Sequence, residues 1–198
     1  SASTSLFNAS FDENNQFLGM EHALAAGWPT LKMAPGFLAP GVNGEGKVDM
    51  FSASGADHWY TMSHHRARAV NNKVAQDTFT PGWLRSVGQG WIVWGLESFI
   101  DEVAVKANKD PVDFRLAMLD GKGKQGGKAP ESVGGATRLA NTLEILKKKI
   151  AKVKLGADEG IGYSVSAGQE RTMPAWLATA AHVHVNKRTG KITVKKLW

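Results

Sequence analysis

The stretch GWLRSVGQGWIVWGLESFIDEVAVKANKDPVDFRLAML, residues 82–119, decides the fold. It passes from small residues around Arg85 into a long amphipathic run. Leu96, Phe99, Ile100, Val103, Ala104 and Ala107 recur at helical spacing and make one apolar stripe, with Asp101, Glu102 and Lys106 off it. This predicts a helix from Gly90 to Asn108 or Lys109. Asp110 then suits the N-cap of a second helix, Pro111 its first position and Asp113 its positive end. Phe114, Leu116 and Ala117 are expected on its core side.

Downstream, DGKGKQGGKAPESVGG reads as a loop. Thr137 is placed to cap a third helix with Leu139, Leu143, Leu146 and Ile150 on one face, and Lys147, Lys148 and Lys149 near its C-terminal end. From Gly160 the period shortens towards two. GIGYSVSAG, LATAAHVHV and KITVKKLW read as strands, the last two joined by a turn at NKRTGK. Upstream, residues 57–80 read as extended. Residues 1–56 are rich in turn signals and weakly periodic. The expected organisation is therefore an irregular segment 1–56 that packs on other polypeptide and a structured region 57–198. A chain that stops while still reading as strand suggests a fragment.

The 198 residues are 42% hydrophobic, enough for a core, and no apolar run reaches the ~20 residues that span a bilayer. The absence of cysteine excludes disulfides, thiolate metal sites and cysteine nucleophiles within the chain. The net charge is +6, but the lysines concentrate in KGKQGGK and LKKKIAKVKL, which read as a solvated loop and helix face rather than a nucleic-acid surface.

Candidate sites are few. The glycines beside Arg85 would let a ligand approach backbone, and a helix N-terminus offers N–H groups to anions; the same pattern also suits an ordinary turn. His182 and His184 share a strand face without an obvious third ligand, so they read as polar surface. His64 and His65 point opposite ways. Glu97, among apolar neighbours, is expected to pair with a cation or backbone donor and to hold the Arg85 loop. There is no Ser-His-Asp order, phosphate loop or paired-carboxylate motif. The residues alone lead to a mixed α/β ligand-associated fragment.

The ordered run Arg85, Gly88, Glu97, Asp101, Glu102, Ala104, Asp110, Pro111, Phe114, Arg115 resembles the molybdopterin-binding large subunit of the xanthine oxidase and aldehyde oxidoreductase family. The isoquinoline 1-oxidoreductase beta-subunit-like group is the nearest in pattern. Flanking ADHWYTMSHHRARAVNN, RLANTLEILKKKI and the C-terminal strands extend the likeness over residues 55–198. The resemblance implies an α+β piece, mixed helices and strands, from the middle of the molybdopterin-binding region. It implies a molybdenum hydroxylase that oxidises an aldehyde or N-heterocycle, with water as oxygen source and electrons passed to iron–sulfur clusters. Molybdopterin would be the cofactor, the cytosine dinucleotide form being one variant.

By the same resemblance Arg85, Ser86, Val87 and Gly88 approach the cofactor, with the Arg85 amide near molybdenum, and Glu97 supports them. Ser86 replaces the family's usual glycine, and Val87 stands where several relatives carry a substrate-stacking Phe. The catalytic glutamate is absent, so no catalytic residue is expected in this chain and it should not act alone. Implied partners are the rest of the subunit, a small iron–sulfur subunit, a cytochrome subunit in some assemblies and a small-molecule substrate, without nucleic acid. The periplasm or the periplasmic face of a bacterial inner membrane is the expected location, the cytoplasm the alternative. A non-catalytic structural or interaction fragment of such a complex is the competing reading.

Overall fold

The computed structural model describes residues 2–41, 44, 46–79, 81–84, 86–122, 135–170 and 173–198. The elements run β1 (Ser3–Phe11), β2 (Phe17–Ala26), α1 (Pro29–Met33), β3 (Ala39–Pro40), β4 (Lys47–Val48), β5 (His64–Asn71), α2 (Lys73–Thr78), α3 (Gln89–Lys106), α4 (Pro111–Met118), α5 (Gly135–Ile150), β6 (Glu159–Glu170), β7 (Met173–Val185) and β8 (Ile192–Leu197). The mixed helices and strands of the expected α+β class are present. Contacts divide the chain into two compact units, Ser1–His58 with Met62–Leu96 and Trp59–Thr61 with Glu97–Trp198.

The first unit is built on the sheet β1-β2-β5. β1 and β2 form an antiparallel hairpin, Ser3 opposite Ala26 and Ala9 opposite Met20. β5 lies parallel to β2, Gly19 beside His64 and Ala26 beside Asn71. Parallel neighbours need a crossover, and residues 27–63 provide it with α1, β3 and β4. Met20, His22, Leu24 and Ala26 alternate into the core, and Leu24 packs with Ala56 and Ile92.

Two expectations are corrected here. Residues 3–26, taken as irregular, form a long hairpin. Their core-facing positions include His22 and Ala26, so hydrophobicity alone shows little alternation. Residues 73–78, taken as extended, form α2, because the Asn72 side chain accepts the Ala75 N–H at 2.9 Å and caps a helix.

The second unit carries the antiparallel sheet β6-β7-β8, with α5 against β7. Leu139, Leu143, Leu146 and Ile150 of α5 are buried at their expected spacing. Thr137 lies inside α5 and is not its cap. Asp110 does cap α4, its Oδ1 accepting from Val112 N at 2.9 Å and Asp113 N at 3.0 Å. Phe114 is buried as expected, but Ala117 is exposed and Arg115 takes a place on the buried side. At the β7–β8 turn the Asn186 side chain accepts from Arg188 N and Thr189 N, both at 3.0 Å, and Gly190 takes φ +70°.

Candidate functional site

In the first unit a pocket of about 260 Å³ opens beside the N-terminus of α3. Ala26, Gly27, Pro29, Ser52, Gly82 and Leu84 line it. Ser86, Val87, Gly88, Gly90 and Trp91 close it. Three of the four residues that the sequence places near a cofactor therefore line one cavity. The fourth, Arg85, lies outside the described residues.

Ser86 and Val87 both hold left-handed backbone, at φ +69° and +42°. Such a conformation costs of order 1–3 kcal/mol for a non-glycine residue, and a β-branched Val87 is a rarer occupant still. The surrounding structure must enforce it. Val87 N donates to Leu84 O at 2.9 Å, Gly88 N to Phe51 O at 3.1 Å and Gln89 N to Ser86 O at 2.8 Å.

The carbonyl that receives Gly88 is itself fixed. Asp49 is fully buried and accepts from Thr30 N, Thr30 Oγ1, Phe51 N, Ser52 N and Ser52 Oγ at 2.6–3.3 Å. Five donors on one carboxylate lock the Phe51–Ser52 turn and, through it, the loop. Next to Gly27 and Pro29, Gln76 Oε1 accepts Trp28 N at 2.6 Å and Gln76 Nε2 donates to Trp28 O at 3.2 Å, which steadies both. Neither Asp49 nor Gln76 stood out in the sequence. DMFS and AQD carry no spacing signal, and their partners lie as far as 48 residues away.

Gly88 also makes room for protein backbone. A β-carbon there would meet protein backbone, with the Ser52 carbonyl carbon at 2.8 Å and Phe51 O at 2.9 Å. The close approach is to the Asp49 turn. Gly88→Ala should therefore lower stability by about 1–3 kcal/mol through overpacking, read as a shift in the urea midpoint. An unchanged midpoint would contradict this packing. Gly82, by contrast, has nothing within 4 Å of a β-carbon and faces open space.

The second unit holds a buried ionic knot. Arg115 is fully buried; its Nε donates to Glu97 Oε2 at 2.9 Å and its Nη1 to Asp101 Oδ1 at 2.6 Å. Nη1 also reaches Pro111 O, and Nη2 reaches Glu97 O at 2.8 Å and Tyr163 O at 3.1 Å. Glu97 further accepts from Tyr60 Oη at 2.9 Å and Val165 N at 3.0 Å. Burial raises the Glu97 carboxyl above its ordinary range, while Arg115, the Val165 amide and Tyr60 draw it back. Every neighbour is a donor, the environment of a carboxylate. Burial next to Glu97 pushes the Tyr60 hydroxyl well up. Glu97 thus pairs with a cation, as expected, but the bonds it makes tie α3 to α4 and β6.

The histidines are also settled. His182 Nε2 lies 2.9 Å from Glu159 Oε2, and Lys195 Nζ lies 3.2 Å from Oε1. The Gly156 amide, His182 and Lys195 together hold the Glu159 carboxyl down to about 2. His182 is half-buried and engaged, not plain surface. No cluster of three or more metal-ligating side chains occurs among the described residues. His64 is exposed and His65 turns inward against His58, with ring centroids 4.4 Å apart.

No family model matches the sequence. The chain is 47% identical over 189 residues to the membrane-bound aldehyde dehydrogenase [pyrroloquinoline-quinone] of Gluconacetobacter polyoxogenes, covering 94% of this chain and 24% of that protein. It is 24% identical over 190 residues to isoquinoline 1-oxidoreductase subunit beta of Brevundimonas diminuta, covering 96% and 22%. The aldehyde oxidoreductase of Desulfovibrio gigas superposes at TM-score 0.49 with 16% identity, over 97% of this chain and 20% of that one. The chain spans about a quarter of the length of the curated relatives it matches. Nearly half of its residues agree with one of them across almost its whole length, so the chain is similar to a segment of the membrane-bound aldehyde dehydrogenase and, more distantly, of isoquinoline 1-oxidoreductase subunit beta.

Proposed function

We propose that this chain supplies one wall of the cofactor and substrate site of a molybdenum-dependent oxidoreductase acting on an aldehyde or N-heterocycle. The observation that carries the reading is the pair of left-handed residues Ser86 and Val87, held at a pocket by a five-donor carboxylate. Strain of this kind persists where a site over-determines it. The cofactor would supply the oxidation chemistry, with water as oxygen source and electrons leaving through iron–sulfur clusters on a partner. Arg85 completes the proposed set.

The pocket suits a closely approaching group in shape, because its walls are mostly Gly, Ala and Ser. It does not suit one held by the Val87 and Gly88 amides, which already donate within the chain. In this reading Ser86, Val87 and Gly88 present side chains and Cα atoms, and the chain's contribution is placement and exclusion of water. The Gluconacetobacter relative is named for pyrroloquinoline-quinone; the ordered run from Arg85 to Arg115 favours molybdopterin, in which the cytosine dinucleotide form is one option. The remaining polypeptide of the subunit, a small iron–sulfur subunit and a cytochrome subunit are the proposed partners. A place at the periplasmic membrane face is the proposed location, supported by the membrane-bound relative; no described helix is long and apolar enough to cross a membrane.

Gly82 gives the test. A β-carbon at Gly82, which lines the pocket, meets no protein atom within 4 Å, so Gly82→Leu should narrow the pocket while stability stays within ~0.5 kcal/mol. Turnover of the full enzyme should fall at least about tenfold, a loss of ~1.4 kcal/mol in transition-state stabilisation. Normal turnover and cofactor content in the variant would remove this pocket from the site.

A further inference from the structure

Helix α5 has two faces of opposite character. Ala136, Leu139, Leu143, Leu146 and Ile150 are buried on one. Arg138, Asn141, Ile145 and Lys148 recur every three or four residues on the other and are exposed, as is Lys149 beside them. The charge runs on past the helix, with Lys152 and Lys154 exposed in the segment that follows Ile150. From Ile145 to Gly156 the chain holds five lysines and no acidic residue. Lys147 is ion-paired with Asp113. Among the described residues, Lys148, Lys149, Lys152 and Lys154 have no acidic side chain within ion-pair distance. The dipole of α5 accounts for cations in its last turn. That effect fades beyond the turn and gives no role to Lys154. Nor does it explain the two apolar side chains that frame the run, Ile145 at 56% and Leu155 at 47% exposure.

We infer that this outer face of α5 and the segment after it, Lys148, Lys149, Lys152 and Lys154 framed by Ile145 and Leu155, is a docking surface for an anionic lipid bilayer. The inference rests on the proposed place at a membrane face and adds to it the residues that make the contact. A cluster of four or more basic side chains is what the negative potential of an anionic leaflet attracts. Lysine stems are long enough to carry their ammonium groups to lipid phosphates, while Ile145 and Leu155 enter the headgroup layer. Single-stranded nucleic acid would be met by aromatic side chains set among the lysines, and the run from Ile145 to Gly156 has none. No described helix can cross a bilayer, so contact through this face is peripheral, reversible and screened by salt.

The test measures sedimentation of the purified full-length enzyme with phosphatidylcholine vesicles, prepared with and without phosphatidylglycerol, at low salt. Each lysine at an anionic surface contributes roughly fivefold to partitioning. Replacing Lys148, Lys149, Lys152 and Lys154 together by Gln should therefore weaken binding to the anionic vesicles at least about a hundredfold. Replacing all four by Arg should keep it, and raised salt should release the wild-type enzyme. Turnover should be unchanged in both variants, since none of the four belongs to the proposed site. Equal binding of the wild type to neutral and anionic vesicles would overturn the docking surface, and so would anionic binding that the Gln variant retains. A Gln variant that still binds vesicles but loses the cluster-bearing subunit would assign this face to a protein partner and overturn it as well. Recovery of the enzyme in the soluble fraction of its native host would count against the membrane location itself, and the vesicle comparison separately decides the role of this face.

Discussion

Arg115→Ala should be the most damaging single substitution in the second unit, lowering its unfolding free energy by about 3–5 kcal/mol. The guanidinium is fully buried and serves Glu97, Asp101 and the carbonyls of Glu97, Pro111 and Tyr163. Removing it leaves the Glu97 carboxylate buried with a void beside it and three carbonyls without that donor. Tyr60 and Val165 would still donate to Glu97, which sets the expected loss near that of a broken buried pair and not higher. Pairing Glu97→Gln with Arg115→Met removes both charges at similar volume. The double variant should therefore lose less than the two single variants combined. Urea unfolding of the four proteins gives the coupling directly. Strict additivity would mean that Arg115 and Glu97 do not act as a unit.

Acid should loosen the first unit through two buried imidazoles. His22 is almost fully buried, stacked on Phe7 at 4.0 Å, with Nε2 3.1 Å from Ser5 Oγ. Burial, and secondarily the neighbouring His65, hold it down to about 4. Burial, then His65 and His22, hold His58 down to about 3. In the unfolded chain both return to about 6.5. Above that pH both states carry neutral rings and the contribution to stability is complete. As the pH falls through 6.5 the unfolded chain takes up protons that the folded one refuses. Stability then drops by up to about 1.4 kcal/mol per pH unit for each histidine, until about 4 for His22 and about 3 for His58. Amide exchange in β2, between Met20 and Ala26, should accelerate steadily from pH 6.5 to 4 after correction for intrinsic rates. His58→Phe should remove its share of the slope. A pH-independent protection factor would contradict the burial of neutral imidazole.

How far the sequence reads through to this fold depends on where each residue finds its partners. The α3–α4 turn was legible because its signals are local: Asp110 caps the N–H groups two and three residues on, and Leu96, Ile100, Val103 and Ala104 share a face. The α5 stripe was legible for the same reason. The β1–β2 hairpin was not, because its core face carries His22 and Ala26 and its support comes from β5, some forty residues later. Arg115 on α4 reads locally as a solvated cation. Its burial depends on Glu97 and Asp101 one helix earlier and on the Tyr163 carbonyl 48 residues on.

The ordered run of residues that suggested the family is instructive in the same way. Glu97, Asp101 and Arg115 meet in one knot, Asp110 is a cap, and Ala104 and Phe114 are core. Most of that run carries folding information, and the part proposed to face the chemistry is the few residues before α3. There the resemblance singled out the loop that lines the pocket, and the close approach visible at Gly88 is that of the Ser52 and Phe51 backbone. A glycine's tolerance for close approach is visible in sequence, but what approaches it is not.

Cofactor analysis of the full-length enzyme purified from its native host tests whether this segment serves a molybdenum–pterin oxidoreductase, as proposed. Elemental analysis should find stoichiometric molybdenum per large subunit, iron in the cluster-bearing partner, and a pterin released on denaturation. Extractable pyrroloquinoline quinone should be absent. Stoichiometric pyrroloquinoline quinone without molybdenum or pterin, in enzyme fully active on aldehydes, would contradict the account and assign the pocket beside Ser86 and Val87 to a different cofactor.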